Sequence, residues 1–207
     1  MKTTARLRTA LAVTAAAYSF FTAAASAQIV NGGFELGSFS GWTVNDPSLY
    51  SIIGNDPDLA AAGTYHANLG ASFDAANNTT PVTGSLSQTF NTAAGSLYTL
   101  SFSLANDGKA PPNFFEAWWN GTMVFSVVNA PFVGGGYSVV TVNNLLATGT
   151  STTLEFRHRN EDDFFRLDEV TASAVPEPST VSFAVLGIAV FGAISYRRSK
   201  IRRSAAR

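Results

Sequence analysis

The chain of 207 residues contains no cysteine and only two histidines, His66 and His158. The first absence excludes disulfide staples, thiolate metal sites and a cysteine nucleophile, so the fold must be held by its core. There is no His-Glu-x-x-His metal motif, no Gly-x-Ser-x-Gly elbow and no glycine-rich phosphate loop, so no motif supports catalysis and a non-enzymatic protein is expected. Basic residues are scarce in the interior of the chain. From Gln28 to Glu177, four Lys and Arg stand against fourteen Asp and Glu, a net charge of −10 that the whole-chain value of −1 conceals. Such a balance opposes binding to nucleic acid and to anionic lipid, and favours solubility and cation binding. Long helical periodicity is missing as well, and long apolar runs occur only at the two ends.

Those ends read as addresses. Lys2, Arg6 and Arg8 precede the apolar stretch Ala10 to Phe21 and the small residues Ala25-Ser26-Ala27. This is the pattern of a secretory signal peptide over residues 1–27, handled by the Sec translocon and signal peptidase, with Gln28 starting the mature chain. A permanent N-terminal anchor is the alternative. At the other end Val175-Pro176-Glu177-Pro178-Ser179 is followed by an apolar run, 180–196, and by a basic tail, 197–207, carrying Arg197, Arg198, Lys200, Arg202 and Arg203. As a helix, the uncharged run from Val181 to Tyr196 would be roughly 24 Å long, at the short end of what crosses a bilayer. The basic cluster would stay on the cytoplasmic side, placing Thr180 and everything before it outside the cytoplasm. Pro-Glu-Pro cannot continue that helix upstream, which leaves Val175 to Ser179 as an extended strip at the membrane surface.

This three-part tail resembles the PEP-CTERM sorting signal of bacteria that make exopolysaccharide. The resemblance implies recognition by exosortase, an intramembrane cysteine transpeptidase, with cleavage around Pro-Glu-Pro. It also implies an exported protein held transiently in the inner membrane, then placed at the cell surface, in the extracellular matrix or in the medium. The alternative is an ordinary anchor in which Pro-Glu-Pro is a stiff linker.

Residues 28–174 suffice for one domain with a sizeable core. Short apolar alternations separated by Gly, Asn, Asp and Pro clusters predict an all-β sandwich, most simply a jelly roll. Within Leu97 to Leu104, the residues Tyr98, Leu100, Phe102 and Leu104 share one face and Thr99, Ser101 and Ser103 the other. Asn120-Gly121 is a hairpin turn between Phe114–Trp119 and Met123–Val128. Further strands are expected at 137–142, 152–158 and 164–173, and earlier at 41–44, 49–53, 64–69 and 85–90, roughly ten in all.

Two segments sharpen the likeness. Asn31-Gly32-Gly33-Phe34-Glu35-Leu36-Gly37 with Gly41-Trp42 resembles the opening of galactose-binding-like jelly rolls, including several families of carbohydrate-binding modules, and Leu167-Asp168-Glu169-Val170 resembles their last strand. The resemblance implies that these are the first and last strands, lying near each other. It also implies a structural calcium ion there, ligated by Glu35, Asp168 and backbone carbonyls. Two carboxylates plus carbonyls meet calcium's demand for oxygen donors. Glu35 and Asp168 paired with backbone amides or with Arg166 is the competing reading.

Sugar recognition needs a flat apolar surface beside directed polar groups. Trp42, Trp118, Trp119 and Tyr137 are candidate platforms, with Asn113, Glu116, Arg157 and Asn160 as polar neighbours. Because Trp118 and Trp119 are adjacent in a strand they face opposite sides, so one is expected in the core and the other is the first to test. The charged run Arg157 to Asp163 reads as a solvated hairpin connection before the last strand. The expected protein is therefore an exported, non-enzymatic envelope or exopolysaccharide-associated protein. The alternatives are an extracellular carbohydrate-binding module and, further off, a small glycosidase or esterase.

Overall fold

The computed structural model describes residues 29–73, 75–108, 111–132 and 136–176. The signal segment, Glu177, Pro178, Ser179, the apolar run and the basic tail lie outside the described residues. Among the described residues are nine strands: β1 (Thr43–Asn45), β2 (Ile52–Asn55), β3 (Tyr65–Ala71), β4 (Gly84–Asn91), β5 (Leu97–Asn106), β6 (Asn113–Trp119), β7 (Thr122–Val128), β8 (Ser138–Leu146) and β9 (Ser151–Ala174). All pairings are antiparallel. The first half of β9 lies between β4 and β6, with β1 and β7 at the outside. Its second half lies between β3 and β5, with β2 and β8 at the outside. The result is two five-stranded layers that share one strand.

The alternation in β5 holds: Tyr98, Leu100, Phe102 and Leu104 are all buried. Their layer meets an aromatic cluster in which Phe102 lies 5.2 Å from Phe156, Phe115 5.4 Å from Phe156 and 5.5 Å from Phe165, centroid to centroid. Offset and edge-on rings at these separations add to the gain from area burial, which a chain without disulfides needs.

Two expectations are corrected. The strands foreseen at 152–158 and 164–173 are one bent strand, and the charged run is part of it rather than a solvated connection. His158 and Asn160 alternate inward, fully buried or nearly so, while Arg157 and Arg159 alternate outward. Residue 160 pairs with Ala71 and residue 165 with Leu69, so the intervening residues bulge out where β9 passes between layers. The Asn31–Gly37 segment, for its part, is a series of turns and not a first strand. Asn31, Phe34 and Gly37 all have positive φ, which breaks extended geometry and suits asparagine and glycine. Asn31 stabilises the turns by accepting from Leu36 N at 3.1 Å and donating to Ser38 O at 2.8 Å. The expected proximity of the two ends is present nonetheless: Val170 N donates to Gly32 O at 2.9 Å, and a Cβ at Gly32 would collide with the Val170 carbonyl.

Candidate functional site: the outer face of the β1-β4-β9-β6-β7 layer

Strand register lays the outward side chains of this layer out in rows. One row reads Asn45, Ser85, Arg157, Glu116, Ser126 across all five strands. The next reads Thr43, Ser87, Glu155, Trp118, Met123. In a third, Phe114 stands between Arg159 and Val128. A groove of about 430 Å³ runs over this face, lined by Asn45, Thr83, Ser85, Phe114, Glu116, Glu155 and Arg157.

The centre of the face is a linked set of side chains. The Arg157 guanidinium carbon lies 4.0 Å from the Trp118 ring centroid, and its Nη2 donates to Glu155 Oε2 at 2.9 Å. Trp118 Nε1 in turn donates to Glu116 Oε2 at 2.8 Å. The stacked cation and indole fix each other's orientation. Both carboxylates are engaged as acceptors. Glu155 holds Arg157 above its ordinary range, chiefly through that hydrogen bond.

Of the two candidate tryptophans, Trp119 is the core residue. It is 4 % exposed, packs against Phe90 and Tyr98, and donates from Nε1 to Leu146 O. Trp42 is also in the core, beside Phe34 and Phe156. Asn113 and Asn160 are buried and bond to Ala130 O and Asn106, so they leave the sugar-platform set. Tyr137 is half-buried on the opposite layer, where its hydroxyl donates to Leu59 O. Sequence reasoning found Trp118, Glu116 and Arg157 but missed Asn45, Ser85, Glu155 and Phe114. Only the i, i+2 spacing of Glu155 and Arg157 hinted at the first acid, because cross-strand register is not written in the local sequence.

Glu35 and Asp168 converge on the segment 61–65. Glu35 Oε1 accepts from Thr64 N at 3.0 Å and Tyr65 N at 2.9 Å, which lowers its pKa. Asp168 Oδ2 accepts from Ala61 N and Ala62 N, and Oδ1 from Glu169 N at 2.7 Å. Burial nevertheless pushes the Asp168 carboxyl up to about 6, against the pull of those amides. Amide pairing, one of the two readings open in the sequence, is thus realised, whereas pairing with Arg166 is not. Arg166 is 1 % exposed and forms a two-pronged pair with Asp107, at 2.7 and 2.8 Å. Among the described residues no three His, Asp or Glu side chains gather as a metal-ligating group. The donor set fits a calcium ion only with carbonyls completing the shell. Glu35 and Asp168 would then be the anionic ligands, and the ion would lock the 61–65 segment to the last strand.

The fold is an all-β sandwich shared with several solved structures. The chain is similar to the structure of TmCBM61 in complex with β-1,4-galactotriose, with a TM-score of 0.55 and 17% identity over 70% of this chain and 96% of that one. It is also similar to the K1 cleaved adhesin domain of Lys-gingipain from Porphyromonas gingivalis W83, with a TM-score of 0.50 and 16% identity over 67% of this chain and 96% of that one. A third likeness, to tailspike protein 4 of bacteriophage CBA120, has a TM-score of 0.52 and 16% identity, and covers 72% of this chain but 21% of that one. No curated protein matches the sequence. Residues 174–199 match the PEP-CTERM protein-sorting motif. This motif implies exosortase as processing partner and an exported protein that is anchored transiently in the membrane.

Proposed function

We propose that this is a non-enzymatic extracellular protein which binds polysaccharide on the outer face of the β1-β4-β9-β6-β7 layer. In this reading exosortase processes it through Val175-Pro176-Glu177-Pro178-Ser179, and it then associates with the exopolysaccharide of its own cell. The observation that carries the reading is the linked set Trp118, Arg157, Glu155 and Glu116, of which the last three line the groove and hold Trp118 beside them. An indole and Phe114 supply apolar surface for the C–H face of a pyranose, while Asn45, Ser85 and the charged pair supply donors and acceptors for its hydroxyl rim. Five strands make a face roughly 19 Å wide, which suits an extended chain of sugars rather than a single ring. Glu116 and Glu155 are held as acceptors by Trp118 and Arg157, which favours binding over the acid–base roles of a glycosidase.

Affinity electrophoresis of the mature domain in gels containing the host's own polysaccharide tests this. Retardation that Trp118→Ala abolishes is the expected result, and unretarded migration of the native domain would sink the proposal. Turnover of a glycoside or ester panel, lost on replacing Glu116 or Glu155, would favour the hydrolase instead. A second proposal concerns calcium at Glu35 and Asp168, supported by the buried Asp168 carboxylate, which accepts from three backbone amides and forms no ion pair among the described residues.

A further inference from the structure

The charges of the candidate groove bear on which polymers it admits. Its ionised lining residues are Glu116, Glu155 and Arg157, one more negative charge than positive. They stand in one block of the ladder, where Glu116 faces Arg157 and Trp118 faces Glu155. Within the block Arg157 donates to Glu155 at 2.9 Å and stacks on Trp118, and Glu116 attracts the same cation from the neighbouring strand. One guanidinium therefore answers to two carboxylates. The other arginines among the described residues, Arg159 and Arg166, are likewise paired, with Glu161 and Asp107. A carboxylate arriving from outside meets no uncommitted arginine among the described residues.

Neutral and acidic sugars make different demands on such a block. A hydroxyl can donate to a carboxylate and accept from Asn45 or Ser85, so a neutral pyranose meets partners for both of its roles. The carboxylate of a uronate only accepts. To gain a charged partner it would have to draw Arg157 away from Glu155 and lie beside two like charges, in the field of a segment that carries −10 from Gln28 to Glu177. At about 5 Å near a protein surface, one unrelieved like charge weakens binding tenfold or more. Discrimination of this kind comes from what repels the wrong chain rather than from what attracts the right one.

We infer that Glu155 is a specificity-determining residue of this face: by engaging Arg157 it makes the groove accept polysaccharide free of carboxylate groups and turn away uronate-bearing chains. The inference rests on the sugar-binding reading and adds to it the class of polymer.

The test is affinity electrophoresis of the mature domain in gels of the host's polysaccharide prepared in three forms. One is carboxyl-reduced, one is then oxidised at C6 to the uronate, and one is that uronate converted to its amide, which keeps the shape and removes the charge. The native domain should be retarded by the reduced and amide forms and about tenfold or more weakly by the uronate form, with a deficit that shrinks as salt rises. Glu155→Gln, shown folded by its thermal melt, should raise the ratio of uronate to amide affinity about tenfold, and adding Arg157→Met should take that gain away. The ratio cancels any change in binding common to both forms. Equal retention of uronate and amide by the native domain, or a ratio that Glu155→Gln leaves unchanged, overturns the inference while leaving sugar binding in place. A Glu155→Gln domain that binds no form overturns it too, because Glu155 is then a required contact and not a selector. A native domain retarded by none of the three forms removes the sugar-binding reading itself, and the inference with it.

Discussion

Acidification should unfold this domain through His158. The ring sits on the core side of β9, opposite Gly84 and Phe115 in the ladder, and neither nitrogen has a hydrogen-bond partner among the described residues. Desolvation therefore pushes its pKa from the ordinary 6.5 down to about 4, with Asp46 pulling weakly the other way. In the unfolded chain the imidazole takes up a proton near 6.5, so between that value and about 4 the unfolded state binds more protons than the folded one. The stability this group contributes is intact above pH 6.5 and is lost progressively as pH falls through 4. The size of the shift corresponds to about 3 kcal/mol. His158→Leu keeps a side chain of comparable bulk and removes the proton site. Urea unfolding of both proteins, followed by tryptophan fluorescence at closely spaced pH values, gives two curves whose difference cancels every group they share. That difference should change by about 3 kcal/mol between pH 7 and 4. A difference curve flat to within about 1 kcal/mol would refute a buried neutral imidazole at this position.

Other perturbations separate binding from folding. Trp118→Ala should weaken polysaccharide binding about tenfold or more with little change in melting temperature, whereas Trp119→Ala should cost about 3–5 kcal/mol by emptying the Phe90–Tyr98 pocket; gel retardation and thermal melts read the two. Gly84→Ala should destabilise the domain by about 1–3 kcal/mol, since the new methyl would occupy the space of the His158 ring. Arg166→Met should cost about 3–5 kcal/mol in urea unfolding, because Asp107 and the Leu59 carbonyl lose their buried partner. If calcium binds at Glu35 and Asp168, a chelator should lower the melting temperature of the native domain but not of Asp168→Ala.

Side-chain period carried most of what could be read from the chain. Alternation in 97–104 gave both the strand and its buried face, because one side of that strand packs on the core and the other does not. The same rule placed Trp118 and Trp119 on opposite sides, but which one enters the core depends on Phe90 and Tyr98, distant in sequence. Residues 157–163 were misread because charge density outweighed period: Arg157 and Arg159 face out while His158 and Asn160 face in, a strand pattern hidden by its own polarity. The opening Asn-Gly-Gly-Phe segment pointed correctly to the last strand, yet its positive φ angles make it a clasp of turns. The groove was legible only in part, since its rows are assembled from five strands whose register no local window records.

One strand being central to both layers also bears on export. Until Ser151–Ala174 has emerged, β4 and β6 lack the neighbour that joins them, and so do β3 and β5. Neither layer can close early: β1 with β4, β2 with β3, β5 with β8 and β6 with β7 can pair beforehand, but only as four separate two-stranded units. Folding becomes a late, single event that coincides with arrival of the sorting tail, and the domain gains its shape at the place where it is about to be handed on.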